Sequence, residues 1–117
     1  MTRRSDVVMV DFPFTDTGKA KVRSGLIVQN DRDTQKFRKT VIAMITGNTR
    51  RRGDPSHLYV DPNDPDGASP GLGFPSLVSC NIPFTIEQDS ILQVIGHLSD
   101  VLKKQRVACL KAALELP

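Results

Sequence analysis

The sequence predicts a mainly β fold with added helix: a small curled sheet or barrel of short antiparallel strands, closed by a C-terminal helix. Two observations carry this. Short apolar runs recur at even spacing and are separated by Gly- and Pro-rich turns. The tail then changes from the strand period to the helical one. At 117 residues, one self-sufficient core is expected, a single domain spanning 1–117.

In chain order, Met1 to Ser5 is polar, with Arg3 and Arg4 adding charge. The first strand is expected over Val7 to Val10, and Pro13 ends its ladder because proline has no amide proton to give. Thr15 to Lys19 reads as a turn-rich loop. Lys19, Lys21 and Arg23 place three cations in five residues, just ahead of a short buried strand, Gly25 to Val28, which stops at the polar turn Gln29-Asn30-Asp31. Arg23 is thereby expected at the mouth of a rigid element with a loop before it. A guanidinium there presents a planar fork of donors suited to phosphate oxygens. Asn30 to Thr40 is polar and reads as a long surface loop or a short irregular helix.

Thr40 to Thr46 is the third strand, broken by Gly47-Asn48-Thr49 and followed by Arg50-Arg51-Arg52. That arginine run is either a solvated turn or a compensating cationic patch. His57 to Asp61 alternates like a half-exposed strand. Asp61 to Ser76 is dense in Pro and Gly and is expected to be a long irregular loop. Leu77 to Ile82 and Ile91 to Ile95 are further strands, with Thr85 to Glu87 a short one between. Ser99 is the expected N-cap of the final helix, with Asp100 in its first turn. Leu102, Val107, Cys109, Leu110, Ala113 and Leu114 are expected on its buried side, and Lys104, Lys111 and Glu115 on its wet side.

The chemistry on offer is narrow. No paired carboxylates, phosphate-cradling glycine loop or histidine-rich metal cluster occurs. Cys80 and Cys109 lack metal-ligand spacing, and neither a zinc site nor a disulfide framework is expected. His57 and His97 read as structural or surface residues. No apolar run approaches a membrane span and no leader peptide is evident, so a cytoplasmic protein without membrane attachment is expected. The formal net charge of +3 permits a polyanionic partner, while an aromatic content of 5% without Trp argues against extensive base stacking. What stands out is a set of polar residues at strand ends: Arg23, Gln29, Asn30, Thr46, Asn48, Ser79 and Asn81. If strands two and three pair antiparallel, Arg23 and Thr46 come side by side. An arginine and a hydroxyl so placed can stabilise a phosphate as it gains negative charge.

The ordered set Asp6-Val7-Val8-Met9-Val10-Asp11-Phe12, Lys21-Val22-Arg23, Leu26 to Asp31, Thr40 to Thr46, Ser76 to Cys80, Thr85-Ile86 and Ile95 to Ser99 resembles the MazF/PemK family of toxin endoribonucleases. The resemblance implies an SH3-like barrel with a C-terminal helix, assembled as a homodimer. It implies a toxin of a type II toxin–antitoxin system that cleaves single-stranded RNA at selected sequences, without metal or other cofactor, using the ribose 2′-hydroxyl as nucleophile. It assigns catalysis to Arg23 and Thr46. Lys19, Lys21, Gln29, Asn30, Asn48, Ser79 and Asn81 are the candidate RNA-binding residues. The implied partner is an antitoxin with an acidic, partly disordered tail. Ser24 stands where the family carries proline, Ser5 where it carries glycine, and Gly73-Phe74 and Gln88-Asp89 where basic residues are common. The alternative is a non-catalytic barrel of the same fold acting by protein binding, on a gyrase-type target or on the antitoxin alone. A silent, still folded relative is a third reading.

Overall fold

In the computed structural model, which describes residues 2–12 and 21–117, six strands form one sheet in the order β4-β5-β3-β2-β1-β6. The strands are β1 (Asp6–Phe12), β2 (Lys21–Ile27), β3 (Lys39–Thr46), β4 (His57–Val60), β5 (Ser76–Glu87) and β6 (Ile91–His97), and the helices are α1 (Asp31–Lys36) and α2 (Asp100–Leu114). Every pairing is antiparallel. The architecture is the curled sheet with a closing helix that the sequence predicts.

Alternation along the strands splits the core between the two faces of the sheet. On β1, Val7 points into a cluster with Leu26, Ala43, Leu58, Val78, Leu98 and Leu102, beneath α2. Val8, Val10 and Phe12 point the other way, to Ile27, Ile42 and Ile86. On that side the sheet curls over itself, and the Phe12 and Phe84 rings meet edge to face at 5.0 Å.

Several boundaries move. β2 begins at Lys21 rather than Gly25, because β1 holds it by pairing from Val7–Leu26 out to Phe12–Lys21. Arg23 is therefore inside a strand, and not at its mouth. The expected strands Leu77 to Ile82 and Thr85 to Glu87 are one, β5, carried through Pro83. The ladder against β3 jumps from Ala43–Pro83 to Met44–Ser79, so Cys80, Asn81 and Ile82 bulge out of register, and the missing proline amide falls beside the bulge.

The polar segment after β2 is a short helix, because Asn30 caps it: its side chain accepts from the Asp33 amide at 2.8 Å. The 61–76 loop is anchored. It contains one 3-10 turn, Pro65–Gly67, and buries Gly67 and Pro70. The Ser69 carbonyl accepts from the His97 amide, and the Asp66 carbonyl accepts from the Ser99 hydroxyl. A methyl group on Gly67 would lie 1.8 Å from the Asp61 carbonyl oxygen, which leaves glycine the only fit.

Ser99 caps α2 as expected, accepting from the Leu102 amide at 3.3 Å. Leu102 and Cys109 are buried, but Val107 and Leu114 are exposed, and Arg106 takes the inward place between Leu102 and Cys109. It donates to the Ser5 hydroxyl. Ser5 itself is left-handed, with φ 79°. That conformation suits the glycine of the resembling family, while the serine hydroxyl gives the buried guanidinium an acceptor.

Candidate functional site

Gly25 faces Met44 and Leu26 faces Ala43 across the β2–β3 ladder, and two further steps in the same register set Arg23 beside Thr46. Both side chains are exposed and both line one cavity of about 730 Å³. Its floor crosses three strands in a row, since Ser79 of β5 pairs with His57 of β4 on one side and Met44 of β3 on the other. Ser79 is buried, whereas Asn48 and Asn81 stand exposed at the rim. The bulge in β5 is what turns Asn81 toward this rim.

Local hydrogen bonds orient the turn after β3. The Thr46 hydroxyl oxygen accepts from the Asn48 amide at 3.1 Å, and the Asn48 side-chain oxygen accepts from the Arg50 amide at 3.0 Å. The Thr46 hydroxyl thus keeps its own proton to donate into the cavity. The same turn delivers Arg50 and Arg51 to the cavity wall, while Arg52 stacks 3.8 Å over the Tyr59 ring. Among the described residues no carboxylate lies within ion-pair distance of Arg23 or Arg50, while Arg51 is near enough to Asp54 to help hold that carboxylate ionised. Guanidinium groups facing one concave surface of mixed polar and apolar lining form a site for an anion with several charges.

Arg23, Thr46, Asn48, Ser79 and Asn81 are therefore brought together. Lys21 lies two residues before Arg23, exposed and opposite Phe12, outside the cavity lining. Gln29 and Asn30 sit past the other end of β2 and serve the fold there. Gln29 donates to the Thr34 hydroxyl at 3.2 Å and to the Lys39 carbonyl at 3.3 Å, and Asn30 caps α1. Lys19 falls outside the described residues. Sequence reasoning left Arg50 and Arg51 open between a solvated turn and a cationic patch, and did not single out His57 for the site. The arginine run was a visible signal whose direction only the Thr46–Asn48 turn decides. His57 was legible only as part of a strand.

His57 is buried, and its Nδ1 lies 3.7 Å from Asp54 Oδ2 with no hydrogen-bond partner. Asp54 is held below the usual carboxylate range chiefly by the Ser56 amide, which donates to it at 2.9 Å, with His57 adding to the effect. Cys80, behind the site, is pushed up to about 12, first by burial and then by Cys109. It is consequently a packing residue and not a nucleophile. Among the described residues no group of three or more His, Cys, Asp or Glu side chains gathers to hold a metal.

Residues 3–115 match the family model of the PemK-like, MazF-like toxin of type II toxin–antitoxin systems. The chain belongs to this family. No curated protein sequence matches it. Solved structures share the fold of this MazF-like chain at low identity. An endoribonuclease in complex with its cognate antitoxin from a mycobacterial species superposes with a TM-score of 0.78 at 21% identity, over 100% of this chain and 98% of that one. The Mycobacterium tuberculosis toxin MazF-mt6 gives 0.75 at 23% identity, over 96% and 98%. A MazE–MazF structure from Deinococcus radiodurans gives 0.73 at 13% identity, over 99% and 98%. The MazF-like toxin has no helix, among the described residues, long and apolar enough to cross a membrane.

Proposed function

We propose that this MazF-like toxin is an endoribonuclease that cleaves single-stranded RNA at selected sequences, with Arg23 and Thr46 at the scissile phosphate. The observation that carries the reading is the shared cavity: a guanidinium and a proton-bearing hydroxyl on facing strands, backed by Arg50 and Arg51. The endoribonuclease identity of the mycobacterial structures that share its fold supports it.

In the reaction we infer, the ribose 2′-hydroxyl attacks the adjacent phosphorus, a new P–O2′ bond forms and the P–O5′ bond breaks. A 2′,3′-cyclic phosphate and a free 5′-hydroxyl result. The 2′-hydroxyl gives up its proton to solvent and the leaving 5′-oxygen gains one, with Arg23 donating to that oxygen and to a non-bridging oxygen. Thr46 donates to the other non-bridging oxygen, where charge grows in the transition state. The nucleophile belongs to the substrate, so neither a protein nucleophile nor a metal is required. Asn48, Ser79 and Asn81 bind flanking nucleotides, and Lys21 extends the cationic track along β2.

The same cationic cavity suits the acidic tail of an antitoxin partner, and both the mycobacterial endoribonuclease and the Deinococcus MazF have been solved with theirs. A homodimer is supported by the apolar edge strand β6, where Leu92 and Val94 are exposed.

The test uses a defined RNA in excess EDTA, with single 2′-deoxy substitutions along its length. Cleavage that persists in EDTA, vanishes at the substituted nucleotide alone and leaves a cyclic phosphate end supports the reading. Cleavage that tolerates the 2′-deoxy substitution at the cut site contradicts it.

A further inference from the structure

Arg23 and Thr46 stand between two cavities. Beyond the large cationic one lies a second, of about 390 Å³, which they also line. Its character differs: Met9, Val22, Leu72, Phe74 and Ile95 supply apolar walls. Phe74 is 62% exposed. Its backbone is held from both sides. The Ser76 hydroxyl donates to the Phe74 carbonyl at 2.9 Å, and Pro75 restricts the backbone of the residue before it. The loop behind it is pinned to β6, since a methyl group on Gly71 would lie 2.1 Å from the Ile95 carbonyl oxygen. The ring itself rests on Gly47, the residue after Thr46. A methyl group there would meet ring carbon Cε2 at 2.7 Å, with two more ring carbons within 3.5 Å.

We propose that this second cavity is a nucleobase pocket, in which Phe74 stacks on one unpaired base flanking the scissile phosphate and so helps determine where the RNA is cut. The inference rests on the endoribonuclease reading. A flat apolar ring, held edge-on by a glycine one residue from the phosphate-binding threonine, is within one nucleotide's reach of the phosphate. The cavity volume falls in the range of small-ligand sites. Stacking needs only a π-face, so the ring supplies affinity, while the Ser24 hydroxyl in the same wall is a group able to discriminate base edges. Ser24 lines this pocket at the position where the resembling family carries proline.

The chain contains no Trp, so Phe74→Trp gives a single reporter. The variant is titrated with an end-labelled, 2′-O-methylated, unstructured oligoribonucleotide that cannot be cleaved, reading label anisotropy and Trp emission together. We expect emission to be quenched with the same midpoint as the anisotropy rise. Phe74→Ala should bind roughly 5- to 150-fold more weakly, the loss of one stacked base. Its dependence of log K on log salt should be unchanged, since no phosphate contact is removed. Gly47→Ala, which displaces the ring without touching Phe74, should weaken binding in the same direction. Binding with unquenched emission, or equal affinity for Phe74→Ala, overturns the pocket and leaves the RNA reading standing. No binding by wild type or variant overturns both.

Discussion

Arg23 and Thr46 are exposed, and neither supports the core. Substituting either by alanine should therefore leave stability within about 0.5 kcal/mol. The same substitutions should cut the cleavage rate by about 100- to 1,000-fold, the usual cost of removing one donor from a site of developing charge. Thr46→Ser should keep most activity, because the hydroxyl is retained. Single-turnover cleavage beside thermal melts separates the two effects. On the proposed reading, Arg50 and Arg51 act through binding. Removing both should lower the salt dependence of log K for single-stranded RNA by about 1.4, if each neutralises one phosphate. Cys80 gives a different kind of prediction. Its folded-state pKa lies above the ordinary thiol value, so the stability it contributes is full below pH 9 and is lost as pH rises toward about 12. The melting temperature should fall over that window, and Cys80→Ala should flatten the fall. Native protein at neutral pH should resist alkylation at Cys80 until it unfolds. At this scale the sequence made residue types and strand positions legible, and Arg23, Thr46, Asn48, Ser79 and Asn81, read from it as one set, line one cavity. Gln29 and Asn30 carry the same polar signature, but one end of a strand resembles the other until pairing says which end the site occupies.

The elements show why. Apolar runs located all six strands, yet underestimated β2 and divided β5, because exposed strand ends are fixed by hydrogen bonds to a neighbour and not by their own side chains. The bulge at Cys80 to Ile82 depends on how β5 must curve over β3, which no window of sequence reveals. α2 was legible from its cap and period. Arg106 was not, because a charged residue inside an apolar stripe declares itself only when an acceptor, here Ser5, is found opposite. Ser99→Ala should cost about 1 kcal/mol through loss of the cap, near 4 °C in melting temperature. Gly67→Ala should cost about 3 kcal/mol or more, because its methyl group would overlap a backbone oxygen that belongs to the loop carrying Phe74. Cleavage specificity should loosen in Gly67→Ala while the catalytic pair is intact, measurable by sequencing product ends from a mixed RNA pool.

For the whole molecule, the sheet order explains the concentration of charge. β2 and β3 are central neighbours, so the start of one and the end of the other meet, and the turn after β3 adds Arg50 and Arg51 on the same side. A modest net charge of +3 thereby yields a locally cationic surface, which on the proposed reading would serve RNA or an acidic tail but not both at once. The most direct test of the account is cleavage of a long unstructured RNA in excess EDTA by the wild type, Arg23→Ala and Thr46→Ala, with melts run in parallel. We predict discrete fragments from the wild type and none from either variant, at unchanged melting temperature. Equal cleavage by all three would contradict the roles given to Arg23 and Thr46, and no cleavage by the wild type would contradict the nuclease reading and point to a barrel that acts by binding protein.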